Sequence, residues 1–182
     1  MRVGIGYDVH PLTPGRDLIL GGVRIKHATG LDGHSDADVL THAVIDALLG
    51  AAGLGDIGTL FPAKDKQFKD ASSLSLLSMA VNVVRGAGYR VVNVDCTVIA
   101  QEPKLLPHIP AMKTNLAKRV GTRNINVKGK SPEGLGALGQ QAGIAAQAVA
   151  MIEEVPNPRA PSLPPHRRSA PLPHKWGRGT SP

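Results

Sequence analysis

The run RVGIGYDVH, residues 2–10, decides how the rest of the chain is read. It alternates larger apolar residues with small or polar ones and predicts a β-strand. Successive strand side chains point to opposite faces, so Gly4, Gly6, Asp8 and His10 share one side and Val3, Ile5, Tyr7 and Val9 the other. The apolar side is therefore expected to be the packed one. The other side starts bare and ends in a carboxylate and an imidazole, an arrangement that can present two metal ligands to something approaching closely. On its own, Asp-x-His is an ordinary solvated strand end, so the reading turns on a third ligand.

Outward from this strand, LILGGVRI (residues 18–25) sets Gly21-Gly22 between two short apolar runs and predicts a hairpin. GHSDADVLTH (33–42) then opens a helix, with Ser35 as the expected N-cap and Asp38 three residues on. Leu40, Ala43, Val44, Ala47, Leu48 and Ala51 recur at helical spacing until Gly50 and Gly53 end the pattern. A second helix is predicted over 72–85, a long strand over 89–100, a short helix after Pro110, a strand at NINVK (124–128) and a closing helix over about 135–153. In that closing helix Ile144, Ala148, Met151 and Ile152 would form one stripe. Strands alternating with helices imply an α/β (α+β) sandwich, a mixed β-sheet with helices packed on one face.

Composition limits what such a domain does. The tail from 156 to 182 holds 8 of the 15 prolines, carries five basic residues and no acid, and is expected to be disordered; residues 1–155 form the domain. Without the tail the net charge of +7 falls to +2, and no basic stripe interleaved with aromatics supports nucleic-acid docking. Trp176 lies in the tail, outside the expected core. Cys96 is the one cysteine, which excludes a disulfide framework or a cysteine-built zinc cluster. No apolar run reaches membrane-spanning length and the first residues lack a signal-like pattern, so a cytoplasmic protein with no membrane partner is expected.

The third ligand is found on the first helix, where Asp38, His42 and Asp46 fall at i, i+4 and i+8. Either carboxylate could orient the second ring nitrogen of His42; the competing reading is a hydrated helix face. If His42 meets Asp8 and His10, two imidazoles and a carboxylate make a three-ligand site with a vacant position, the pattern of catalytic zinc. His108, flanked by Pro107 and Pro110, is read as a partly buried loop residue, and Asp32 and Asp36 as loop and first-turn charges near a helix amino terminus.

GYDVH (6–10), LGGVRI (20–25), GHSDADVLTHAVIDALLGAAGLGDIGTLFP (33–62) and DCTVIAQEPKLLPHIPAMK (95–113) occur in register. Together they resemble the 2-C-methyl-D-erythritol 2,4-cyclodiphosphate synthase family of the non-mevalonate isoprenoid route, over residues 1–154. That resemblance implies a homotrimer with active sites between subunits and a zinc ion on Asp8, His10 and His42. The reaction it implies is an internal phosphoryl transfer from a cytidine diphosphate substrate, with release of CMP. It further implies magnesium or manganese held by Glu133, and His34 and Ser131 aligning the transferring phosphate, with Ser35 either a substrate contact or only a cap. Ala100, Pro103, Lys104, Leu105 and Leu106 would cradle the cytidine side. Asp56, Ile57 and Gly58, then the loop from Phe61 to Asp65, would meet the substrate's sugar-like portion.

The chain departs from the family pattern in two places. Lys130, Ser131, Pro132 and Glu133 stand where Thr-Thr-Thr-Glu is common, which keeps a hydroxyl and the carboxylate and adds a cation. Ala137 and Gln140 replace a common Phe and Arg that line a trimer-axis cavity able to hold an isoprenoid diphosphate. Without the guanidinium grip, weak or absent binding of that ligand is implied. Two other readings of the same residues are a metal-dependent phosphohydrolase and a non-catalytic trimeric binding scaffold.

Overall fold

The computed structural model describes residues 1–62, 64–68 and 71–155, so the proline-rich tail lies outside the described residues. Strand β1 runs Arg2–Pro14, and Gly21 and Gly22, both at positive φ, turn β2 (Leu18–Leu20) into β3 (Val23–Ile25) as a tight hairpin. A short β4 (Thr29–Leu31), which the sequence reading omitted, pairs with the far end of β1. Helix α1 (Val39–Ala52) is followed by the single turn α2 (Ile57–Leu60), α3 (Ser73–Gly86), β5 (Tyr89–Ile99), α4 (Ile109–Val120) and β6 (Ile125–Lys130). The last elements among the described residues are the turn α5 (Gly136–Gly139) and β7 (Gly143–Glu154).

The main sheet has the order β4-β1-β7-β5-β6; β5 and β6 run parallel and the other neighbours antiparallel, the expected mixed sheet. Helix α1 lies on β1 and β7, with α3 and then α4 beside it. Among the described residues no helix is long and apolar enough to cross a membrane.

Three expectations are corrected. The closing helix over 135–153 is β7, preceded by one helical turn. Ile144, Ala146, Ala148, Ala150 and Ile152 are all buried while Gln147 and Val149 are exposed, which is a period of two. Alanine's helix propensity and the coincidence that Ile144 and Ala148 also match an i, i+4 step favoured the wrong period. Here the small alanines serve a different end, since they let α1 sit low on the central strand.

The packed face of β1 is also the reverse of the one expected. Val3, Ile5, Tyr7 and Val9 are 48–66% exposed, and the glycine side is covered by α1. A Cβ on Gly4 would overlap the Ala47 carbonyl and stand 2.9 Å from Ala51 Cα, while one on Gly6 would overlap the Ala43 carbonyl and stand 2.6 Å from the Ala47 nitrogen. Helix backbone occupies the space that side chains would need.

Finally, α1 is capped by Asp38, not Ser35. The fully buried Asp38 carboxylate accepts from Thr41 N–H (3.0 Å) and Thr41 Oγ1 (2.7 Å), and also from Gly21 N–H (2.8 Å) and Gly22 N–H (2.7 Å). It thus caps the helix and pins the β2–β3 turn at once, which Ser35's shorter side chain, already used by the Ala37 N–H, does not do. Burial pushes the Asp38 carboxyl up, and these four donors pull the other way. Asp38→Ala strands all four donors, so urea denaturation should show a loss of about 3–5 kcal/mol; a loss below about 1 kcal/mol would deny the carboxylate this role.

Candidate active site

Close packing of α1 on the glycine face of β1 is what builds the site. It lowers His42, one turn into α1, onto Asp8 and His10 at the polar end of the same face. The three ligand atoms form a small triangle: Asp8 Oδ2 is 3.0 Å from His10 Nε2 and 2.9 Å from His42 Nδ1, and the two nitrogens are 3.3 Å apart. Around a tetrahedral zinc with bonds of about 2.0 Å, ligand atoms stand roughly 3.3 Å from one another, so this donor set fits one cation. Among the described residues, Asp8, His10 and His42 are the group that converges in this way.

The ring of His10 is oriented by its other nitrogen, Nδ1, which lies 2.7 Å from the Asp32 carbonyl and donates to it. That leaves Nε2 facing the triangle. Gly33 flanks this ring so closely that a Cβ there would come within 2.9 Å of His10 Cε1. The electrostatics match a cation-binding triad. Burial alone would raise the Asp8 carboxyl, but hydrogen bonds and charge from His10 and His42 hold it well below the usual carboxylate range. The hydrogen bond with Asp8 raises His10 above its ordinary value against the opposing effect of burial.

His42 is not oriented by a carboxylate of its own helix, contrary to expectation. Asp38 is spent on capping, and Asp46 Oδ1 accepts the Ile57 N–H at 2.8 Å, holding α2 beside the site. Because α1 is buried on almost every side, Asp38 and His42 are buried and Asp46 half-buried, and each bonds to a neighbouring element. His42 Nε2 instead lies 2.9 Å from Ser73 Oγ and 3.1 Å from Ser35 Oγ. Ser73 was missed, since a serine opening a helix 31 residues away carries no sequence signal tying it to His42.

Asp8, His10 and His42 open into a cavity of about 260 Å³ that His34, Ser35, Ile57, Gly58 and Phe61 also line. Asp56, the residue before the lining Ile57, is the exposed N-cap of α2, its carboxyl held low by the hydroxyl and N–H of Thr59. Asp65 follows on the next loop, its N–H donating to the Pro62 carbonyl.

A second cavity, about 280 Å³, gathers Ala100, Pro103, Lys104, Leu105 and Leu106 with Lys130 and Ser131. Gln101 also lines this cavity and ties its two loops together by accepting the Gly134 N–H at 3.0 Å. Glu133 is on this side as well: its N–H donates to Ser131 Oγ, and Pro132 lies between them. Within one chain, Glu133 and Ser131 are therefore not brought to the Asp8–His10–His42 cluster. The cavities share no lining residue, since β7 separates β1 from β5, a lateral distance of two strand spacings or roughly 10 Å.

His108 and Cys96 line neither cavity. His108 is the half-buried N-cap of α4. Burial pushes the Cys96 thiol up to about 12, which leaves it without thiolate chemistry.

The YgbB family pattern matches residues 1–153. The chain is 56% identical to the 2-C-methyl-D-erythritol 2,4-cyclodiphosphate synthase of Syntrophomonas wolfei over 156 residues, covering 85% of this chain and 99% of that protein. Among solved structures, the bifunctional IspDF of Campylobacter jejuni superposes with a TM-score of 0.81 at 43% identity, over 85% of this chain and 42% of that one. A 2C-methyl-D-erythritol-2,4-cyclodiphosphate synthase in its CDP-bound form gives a TM-score of 0.77 at 36% identity, over 84% of this chain and all of that one.

Proposed function

The chain belongs to the YgbB family, and on that premise we propose that it converts 4-diphosphocytidyl-2-C-methyl-D-erythritol 2-phosphate to 2-C-methyl-D-erythritol 2,4-cyclodiphosphate and CMP. The observation that carries the proposal is the convergence of Asp8, His10 and His42 on one point of a cavity wall. In the reaction an oxygen of the 2-phosphate forms a bond to the β-phosphorus, and the bond from that phosphorus to the bridging oxygen breaks. CMP departs with the bridging oxygen and its electron pair. Attacker and target belong to one molecule, so the protein supplies no nucleophile, and folding the substrate into a near-attack geometry can contribute roughly 7–11 kcal/mol.

Asp8, His10 and His42 would hold zinc, and Glu133 magnesium or manganese; bound there, such cations neutralise the repulsion between the phosphates and the charge growing on the leaving group. His34 and Ser35, which line the first cavity, would bind phosphate oxygens. Asp56, Ile57, Gly58, Phe61 and Asp65 would meet the methylerythritol portion, and backbone groups from Ala100 to Leu106, with Lys104 and Lys130 nearby, the cytidine and its phosphates. Ser131 and Glu133 would act where this second cavity meets the first.

Two features support a homotrimer with its active sites between subunits. The sheet exposes Val3, Ile5, Tyr7, Val9 and Val149 on one face, a patch that a second copy would cover. The two halves of the substrate would also need two cavities that a single chain keeps apart. Ala137 and Gln140 fall in and just after α5, both exposed, and neither offers a guanidinium to an isoprenoid diphosphate.

The test is to incubate the purified full-length protein with the diphosphocytidyl substrate, with and without chelator, and resolve the products by phosphorus NMR. A cyclic diphosphate plus CMP, lost on chelation, is the expected result. Linear products with free phosphate would replace the proposal with a phosphohydrolase, and turnover indifferent to chelation would remove the metal.

A further inference from the structure

The fully buried Ser73 is the first residue of α3, and its backbone N–H donates to Asp36 Oδ2 at 3.0 Å. Its hydroxyl donates to the other oxygen of the same carboxylate, a short bond. That hydroxyl has one proton, and the carboxylate takes it. Toward His42 Nε2, 2.9 Å away, Ser73 Oγ therefore acts as acceptor, and Nε2 must carry the ring proton. Ser35 Oγ is a second neighbour of this nitrogen at 3.1 Å, but it already accepts the Ala37 N–H and no carboxylate fixes its proton.

This proton placement has a chemical consequence on the far side of the ring. Asp8 Oδ2 stands 2.9 Å from His42 Nδ1 and favours a proton there, which would block the lone pair that a cation needs. An opposing acceptor on Nε2 is required to tip the balance. We propose that Asp36 and Ser73 form a positioning relay that holds His42 protonated at Nε2, so that Nδ1 presents its lone pair to the bound cation. The relay rests on the metal-site reading above and adds two positioning residues to it. Asp36, read from the sequence as a first-turn charge, does sit at a helix amino terminus, but that of α3, where Ser72 as N-cap makes no side-chain bond. One carboxylate thus ties the loop before α1, the start of α3 and the metal ligand together.

The experiment uses the full-length protein, zinc titrated against a chelating dye, and nitrogen-15 histidine spectra of the zinc-loaded form. In the unmodified protein the His42 Nε2–H should be visible and protected from exchange. Ser73→Ala should weaken zinc binding about 10–100-fold and abolish that protection, the usual effect of removing the partner of a metal-ligating histidine. Asp36→Asn, which keeps the size and an acceptor oxygen but not the charge, should fall between the two, and it carries the test alone if Ser73→Ala fails to fold. The His10 Nδ1–H, held by the Asp32 carbonyl, should be unaffected in both variants. Zinc affinity within twofold of the unmodified protein, or a lowered melting temperature with the His42 signal unchanged, overturns the relay and assigns Ser73 to packing alone. An unmodified protein that binds no zinc at all overturns the metal site itself, a different and recognisable outcome.

Discussion

His42→Ala lowers the rate of CMP release at least about 10³-fold, the loss expected when several kcal/mol of charge neutralisation at a phosphoryl group disappears at 1.36 kcal/mol per decade. The estimate follows from the triangle of ligand atoms: removing one corner leaves Asp8 and His10, 3.0 Å apart, free to satisfy each other, with no third donor to define a cation position. The fold should survive. His42 contributes one buried ring to a helix whose other buried positions, all apolar but Thr41, are unaffected, and the hydroxyls of Ser35 and Ser73 that it leaves behind keep other partners. The measurement pairs steady-state rates with zinc content by elemental analysis and oligomeric state by sedimentation. Rates close to those of the unmodified protein, with a well-folded variant, would remove zinc from this corner of the molecule.

The site was legible in the sequence to the extent that its residues lie on regular elements with a fixed side-chain period. Asp8 and His10 share a strand face in any register, and His42 follows from a helix whose apolar spacing is unambiguous. The signal failed where chemistry is decided between elements. Ser73 reaches His42 from another helix, and Gln101 reaches Gly134 across 33 residues; neither pairing leaves a periodicity. The Ser35 cap was displaced because Asp38 answers two structures together, the helix start and the β2–β3 turn, and local spacing registers just the first.

For the fold, the elements that misled are those whose small residues serve a neighbour. β7 is rich in alanine because α1 rests on it, not because it is helical. β1 shows its apolar side chains to the outside and its glycines to the core, so a rule that assigns apolar residues to the interior inverts it. The inversion was visible in principle, since two glycines alternating in a strand mark the close approach of another backbone.

Gly6→Ala therefore has an effect out of proportion to one methyl group. The new Cβ meets the Ala43 carbonyl and the Ala47 nitrogen, which are helix backbone and cannot rotate aside as a side chain would. Either α1 lifts from β1 or β1 bends away from its neighbours in the sheet, and both open the interface on which Asp8, His10 and His42 depend. Overpacking against rigid backbone should cost about 3 kcal/mol or more; at about 2–4 °C per kcal/mol for a chain of this size, the melting temperature falls by roughly 10 °C. Zinc affinity should fall with it, because widening the β1–α1 contact moves His42 from the other two ligands. Gly86→Ala, the same change at a glycine where an added Cβ meets nothing within 4 Å, is the matched control and leaves the ligand triangle in place. If Gly6→Ala melts within about 2 °C of the unmodified protein, less than 1 kcal/mol by the same conversion, and binds zinc as tightly, then close backbone approach is not what assembles the site.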